Sequence, residues 1–325
     1  MKASGIRAFP YGTFIQLELE GKTVFPLCGT IARAETVYCN ETGPWQSFLS
    51  DRYGFRNPDP VWEGKVDLAL IGDSFVLGQA ADSGKEFAAL VRQEIPSTLA
   101  LGKNGAGPLT MLGMVREYLG DARPRKVLWV FNEGNDIADL RWEKETPQLR
   151  GYLESDYSQQ LRESTPALNE AMEGRAWSQP SPESSSRQAV FWSKKDALDF
   201  LLIRTTRSLL PLSASQEPFD QELFRTVLAR ARQEVAAWGG ELVFVYLPDI
   251  NSFRRNPKIS LGRYHGTIVE MVAELKIPLI DLRLGFSQTP DPEGYYWFRV
   301  PGTHFTDQGN EAAARLILEG LNRSN

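Results

Sequence analysis

The chain has 325 residues, 42% of them hydrophobic, which is enough to bury a full core in one large domain or one domain with insertions. Its formal net charge of -5, from 36 basic and 41 acidic side chains, comes without a Lys/Arg stripe, so nucleic acid is not an expected partner. No run approaches the roughly 18 apolar residues needed to cross a bilayer, and Met1 to Pro10 lacks the apolar centre of a secretory signal, so the chain as it stands reads as soluble.

Residues 1–60 read as a β-rich extension packed beside the main core. Within it, Thr13 to Leu19 and Lys22 to Leu27 flank Glu20-Gly21 as a hairpin. The only two cysteines, Cys28 and Cys39, lie here; they form either one small disulfide loop or two free buried thiols, and spacing alone leaves both open. From Val66 onward, short apolar runs alternate with helical patterns, the signature of a parallel sheet covered on both faces. The expected strands are Val66 to Ile71, Thr98 to Leu101, Lys126 to Phe131, Glu241 to Leu247 and Ile277 to Asp281, each dense in Val, Leu, Ile or Phe. Residues 61–325 therefore form a flavodoxin-like three-layer α/β/α sandwich around a five-stranded parallel sheet. Residues 141–218 separate the third and fourth strands by far more than an ordinary crossover and read as a helical insertion. The stretch Ser178 to Ser186 inside it is polar and Pro-rich, and is expected to be mobile. Next comes a helix with Leu223, Phe224, Val227, Leu228, Ala231 and Val235 on one stripe, stopped by Gly239-Gly240. Further helices run from about Tyr264 to Leu275 and from about Asp307 to Leu321, the last capped by Thr306 or Asp307.

In open α/β sheets, ligands sit at the carboxyl ends of the strands. The residues just after the strands are accordingly the candidates for chemistry. After the first strand, Gly72 permits a tight turn that places Ser74 at a helix N-terminus, among free backbone N–H groups. After the second comes the loop Gly102 to Pro108, whose glycines let a main-chain N–H approach a ligand closely. After the third, Gly134-Asn135-Asp136 offers a side-chain amide, and after the fifth comes Gly302-Thr303-His304. A serine that cleaves esters needs a base to take its proton and donors to hold the oxyanion. His304 would be the base, and the N–H groups of Ser74 and Gly105 with the Asn135 amide would be the donors. Each residue has a plainer reading. Ser74 and Asn135 are also good helix caps, Gly102 or Gly107 is an equal claimant to the donor role of Gly105, and Asp136 belongs with the turn. His265, the only other histidine, lies at a helix start away from any strand end and reads as structural or surface.

Ser74, Gly105, Asn135 and His304, in this order in four separated blocks, resemble the SGNH/GDSL hydrolase superfamily. The resemblance covers roughly Asp51 to the C-terminus. It implies a serine esterase or O-acyltransferase working through an acyl-enzyme, with no cofactor or metal. The lead-in Asp51-Arg52-Tyr53-Gly54-Phe55-Arg56-Asn57 further resembles bacterial SGNH-like proteins that edit or acetylate exported glycans, which implies an O-acyl, chiefly O-acetyl, carbohydrate substrate. The chain departs from the family where an Asp usually stands three residues before the histidine: here that residue is Pro301. Asp281, after the fifth strand, or a backbone carbonyl is then expected to orient His304, or the site is a Ser-His dyad. The aromatic run Tyr295 to Phe298 cannot all face inward, and either lines the site, where it would stack on a sugar, or packs under the insertion. A lipase or thioesterase of longer acyl esters, and a catalytically weak glycan-binding relative, stay open as alternatives. So does the compartment: exported, if the chain is the soluble portion of an anchored protein or works with a membrane partner, otherwise cytoplasmic.

Overall fold

The computed structural model describes residues 8–10, 16–39, 41–43, 45–178, 219–254 and 264–323. Its central sheet contains β6 (Leu68–Gly72), β7 (Thr98–Gly102), β8 (Lys126–Asn132), β9 (Glu241–Leu247) and β10 (Leu279–Asp281), in the order β10-β9-β8-β6-β7 with every pair parallel. Counted along the chain this is the flavodoxin order 2-1-3-4-5, and the strand order reverses between β6 and β8. These strands read as unbroken apolar runs because both faces are covered. On one face Ala69, Ile71, Leu99, Leu101, Val127, Trp129, Phe131, Phe244 and Tyr246 form one core; on the other Leu68, Leu70, Ala100, Leu128, Val130, Val243 and Val245 form a second.

The helices used below are α1 (Ser74–Leu77), α2 (Phe87–Glu94), α3 (Pro108–Met114), α4 (Asp136–Glu143), α5 (Thr165–Ser178), α6 (Gln221–Ala237), α7 (His265–Glu274), α8 (Leu282–Phe286) and α9 (Asp307–Arg323). Helix α6 buries Phe224, Val227, Leu228, Ala231 and Val235 on its expected stripe; Asp220 caps it by accepting the Leu223 N–H at 3.1 Å, and it ends before Gly239 at φ +82°. In α9 the cap is Thr306, whose hydroxyl accepts the Gly309 N–H at 3.2 Å. No helix among the described residues is long and apolar enough to cross a membrane.

The N-terminal strands are β1 (Ala8–Pro10), β2 (Leu17–Leu19), β3 (Lys22–Val24), β4 (Glu35–Cys39) and β5 (Trp45–Leu49). The hairpin β2-β3 is shorter than expected. Its turn residues Glu20 and Gly21 both have positive φ, which is how a two-residue turn matches the twist of its strands. Strands β1, β4 and β5 form a separate three-stranded sheet. Cys28 is a free buried thiol, pushed up to about 11 by its burial, so of the two readings left open the disulfide loop is the one not formed. The segment 141–178 is helical in part and packs on the N-terminal extension: Gln159 accepts the Phe25 N–H at 2.7 Å and Asn169 the Ala32 N–H at 2.9 Å. The Pro-rich stretch from Gln179 on lies outside the described residues.

The lead-in Asp51 to Asn57 ties the extension to the sheet. Buried Asp51 accepts the N–H groups of Tyr53 and Phe55 at 2.9 Å, and the side-chain N–H groups of Asn57 and Trp62 at 2.8 Å. Asn57 then pairs both backbone groups of Ala100 on the edge strand β7, at 3.0 and 2.8 Å. Arg56 donates to the Gly78 carbonyl at 2.9 Å, just past α1, and pairs with buried Glu86 at 3.3 Å. Four donors share one carboxylate. Asp51→Ala strands them all, so urea unfolding should show a loss of about 3 kcal/mol or more.

Candidate active site

Strand β6 runs into α1 through Gly72 and Asp73. A side chain at Gly72 would collide with Val76 and the Val130 carbonyl, at 2.6 and 3.1 Å, so only glycine lets the strand turn so sharply into a helix. Asp73 caps the helix by accepting the Phe75 N–H at 2.9 Å, and its second oxygen accepts the Asn132 side chain, from the end of β8, at 2.8 Å. Ser74 is thereby fixed as the first residue of α1. It is buried, with 5% of its surface exposed.

The loop before α9 carries His304. The Thr303 hydroxyl donates to the carbonyls of Trp297 and Val300 at 2.7 Å, and the Trp297 N–H donates to the His304 carbonyl at 3.0 Å. Phe75 packs on the imidazole with ring centroids 4.9 Å apart. His304 Nε2 lies 2.7 Å from Ser74 Oγ. On the other side of the ring, Nδ1 lies 2.5 Å from Glu41 Oε1, while Glu41 Oε2 accepts the His304 backbone N–H at 3.0 Å. An ionised carboxylate can only accept, so Nδ1 carries the proton and Nε2 is left to accept from the serine.

Glu41 is the residue that sequence reasoning missed. It sits on the connection between β4 and β5, 263 positions from His304 in the chain, and occupies the place where an acid three residues before the histidine would act. The only hint was indirect: Pro301 at the usual acid position, and an extension expected to pack beside the sheet. The expectation for Asp281 is corrected. Asp281 binds His265 at 2.7 Å and caps α8 by accepting the Arg283 N–H at 2.9 Å. It ends the edge strand β10, three strands from β6, so at about 4.8 Å per strand it lies roughly 14 Å away along the sheet, too far to reach the serine. His265 accordingly belongs to a hydrogen-bonded pair with Asp281, away from Ser74.

The glycine loop separates its three claimants. Gly102 ends β7 against α1, where a Cβ would meet the Leu77 nitrogen at 2.1 Å; its task is close packing. Gly107 donates its N–H to Glu143 at 2.9 Å. Gly105 is left at the loop's apex with φ +69° and open space around it. Asn135 precedes α4, and its Nδ2 donates to Asp139 Oδ2 at 2.9 Å. Burial raises the Asp73 carboxyl against the pull of Asn132 and the Phe75 N–H. Burial likewise lifts Asp139 to about 6 and Glu143 to about 7. Asp136 is buried and accepts the Asn132 N–H at 3.0 Å, a turn-holding role. Of the aromatic run, Tyr295 and Tyr296 pack on Phe286 and Phe305, and Phe298 is 62% exposed at φ +54°. No group of His, Cys, Asp and Glu among the described residues is arranged to hold a metal ion.

No family model and no curated protein matches this chain. Several solved structures resemble it. A lipase/acylhydrolase from Enterococcus faecalis is 15% identical with a TM-score of 0.44, over 78% of this chain and 94% of that one. The acetyl xylan esterase AlAXEase is 13% identical with a TM-score of 0.44, over 78% and 98%. The hydrolase LAE5, from a lake metagenome in Spain, is 13% identical with a TM-score of 0.46, over 81% and 99%.

The ring geometry has a direct spectroscopic consequence. In mildly alkaline buffer, nitrogen-15 spectra of histidine-labelled protein should show His304 protonated at Nδ1 and bare at Nε2, and Glu41→Gln should loosen that preference. A ring protonated at Nε2 in the unmodified chain would contradict the arrangement.

Proposed function

We propose that this chain is an SGNH-type serine ester hydrolase or O-acyltransferase that works through an acyl ester on Ser74. The observation that carries the reading is the continuous relay Ser74 Oγ, His304, Glu41, with links of 2.7 and 2.5 Å. His304 takes the serine proton as Oγ attacks the acyl carbon, then returns it to the leaving alcohol as the tetrahedral intermediate collapses. Glu41 holds the ring in the tautomer that can accept, and stabilises the imidazolium formed in the attack. The Ser74 and Gly105 N–H groups and the Asn135 amide receive the oxyanion. Water or a second hydroxyl then attacks the acyl-enzyme, with His304 acting again as base; the first outcome is hydrolysis and the second is transfer.

We read the substrate as a carbohydrate bearing small O-acyl groups. Two exposed aromatics support this. Trp45 is paired across the hairpin whose connection carries Glu41, and Phe298 lies on the loop that holds His304. Apolar faces of this kind stack on sugar rings. The resemblance of Asp51 to Asn57 to proteins acting on exported glycans points the same way. The case for a catalytically weak glycan-binding relative rested on a missing acid, and Glu41 removes that ground.

The test is hydrolysis of p-nitrophenyl acetate together with labelling by a fluorophosphonate probe. Wild type should do both and Ser74→Ala neither. Glu41→Gln should lower kcat by about 100-fold to 10,000-fold with a folded protein, as expected when the tautomer is no longer fixed. Absence of labelling in wild type would sink the enzyme reading. Release of acetate from an acetylated polysaccharide, set against hydrolysis of long-chain acyl esters, checks the substrate class; a clear preference for the long chains would favour a lipase or thioesterase.

A further inference from the structure

Helix α4 carries two carboxylates one turn apart, half-buried Asp139 and buried Glu143, and each reaches a different part of the oxyanion site. Glu143 accepts the N–H groups of Gly107 at 2.9 Å, Leu109 at 2.8 Å and Thr110 at 3.1 Å, so it fixes the glycine loop and the start of α3. Asp139 accepts the Asn135 Nδ2 at 2.9 Å. The two are packed against the same glycine: a Cβ at Gly107 would lie 2.7 Å from Asp139 Cβ and 2.7 Å from Glu143 Oε2. Like charges four residues apart on a helix disfavour folding, and within α4 the only partner of either is the Trp142 indole, which donates to Asp139 Oδ1 at 3.4 Å. Their bonding partners supply the reason for both.

An asparagine amide has two nearly isosteric orientations that exchange a donor for an acceptor, and only one serves an oxyanion. Asn135 Oδ1 is buried with no hydrogen-bond partner, so it does not select between them. Selection falls to the nitrogen. We propose, on the esterase reading above, that Asp139 is the positioning residue of the oxyanion site: its carboxylate rejects the amide oxygen, accepts one N–H of Asn135, and leaves the other facing the nucleophile turn. Asp139 never touches the substrate, and its whole effect on the reaction passes through Asn135.

A double-mutant cycle on the full chain tests this. Asp139→Ala should lower kcat for p-nitrophenyl acetate by about 100-fold with KM changed by less than about twofold, the pattern of a contact made only in the transition state. Asp139→Asn retains an acceptor oxygen and should recover most of the loss. In an Asn135→Ala background, Asp139→Ala should cost nothing further, because the residue it acts through is already gone. A general structural role would instead lower activity in both backgrounds alike, and that result overturns the proposal. So does a wild-type kcat in Asp139→Ala. If Asp139→Ala does not show a cooperative melt, Asp139→Leu, which likewise lacks an acceptor, carries the same cycle with the same readings. A wild-type chain that neither hydrolyses nor labels brings down the esterase reading itself, whereas an active wild type with an indifferent Asp139 brings down this inference alone.

Discussion

The contact between Glu41 and His304 is the constraint on which the arrangement of this molecule depends. On the esterase reading a histidine base works only in one tautomer and one orientation, and the group that sets both, Glu41, comes from outside the central α/β unit. The small sheet of β1, β4 and β5 must therefore be held against the sheet of β6 to β10 with the precision of an active site. Several contacts do this. Tyr38 on β4 donates its hydroxyl to the Ala81 carbonyl at 3.1 Å and receives Arg56 at 3.2 Å, and Arg56 in turn grips the turn that follows α1. Gln46 on β5 reaches Asp82 in the same turn. Lys103 of the glycine loop donates to the Pro26 carbonyl at 2.8 Å. The acid, the nucleophile helix and the glycine loop are thus fastened to one another through the N-terminal extension.

The position of the site follows from the sheet. With β6 and β8 as neighbours and β7 on the outside, the strand order reverses between β6 and β8, the place where open α/β sheets bind their ligands. Ser74 follows β6, Asn135 follows β8, and the glycine loop follows β7. Close approach is what the glycines provide: Gly72 and Gly102 let α1 lie against the strand ends at distances no other residue tolerates. The serine is presented at the start of a one-turn helix whose length is limited by Gly78 at φ +77°, so its backbone N–H remains unpaired by any earlier turn.

Much of this was legible from the residues alone, and the physical reasons are specific. Strands buried on both faces leave continuous apolar runs, which is why Lys126 to Phe131 and Glu241 to Leu247 were placed almost to the residue. The ends moved most where burial does not depend on pairing: Val66 and Ile277 are buried core residues that sit just outside their strands. Ser74, Gly105, Asn135 and His304 were accessible because strand-end position is readable from periodicity. Glu41 was not, because a loop side chain reaching across 263 positions leaves no trace in local pattern. Asp281 was misassigned for a related reason. It does stand at the end of a strand, but which strands are neighbours is a property of the sheet order, and β10 is on its far edge.

The carboxylates around the oxyanion site show a local conflict of a kind expected where structure serves chemistry. Asp73, Asp136, Asp139 and Glu143 are drawn together in one buried region, and burial raises all four. For Glu143 the shift is from 4.5 to about 7, worth on the order of 3 kcal/mol. An acid whose folded value is raised binds protons more tightly in the native state. Its stabilising effect is full below 4.5 and is lost as pH rises through about 7, the range in which an ester-cleaving histidine must be neutral. On the esterase reading, the fold is thus least favoured by this cluster in the pH range where that reaction needs a neutral histidine. An apolar core at these positions would be more stable, but it could not accept the three N–H groups at the start of α3 or fix the amide of Asn135. Oxyanion stabilisation needs donors already in place before charge develops, and acceptors behind those donors are what keep them there. The cost in stability falls on α4, whose Glu143 accepts from the glycine loop and whose Asp139 accepts from the asparagine.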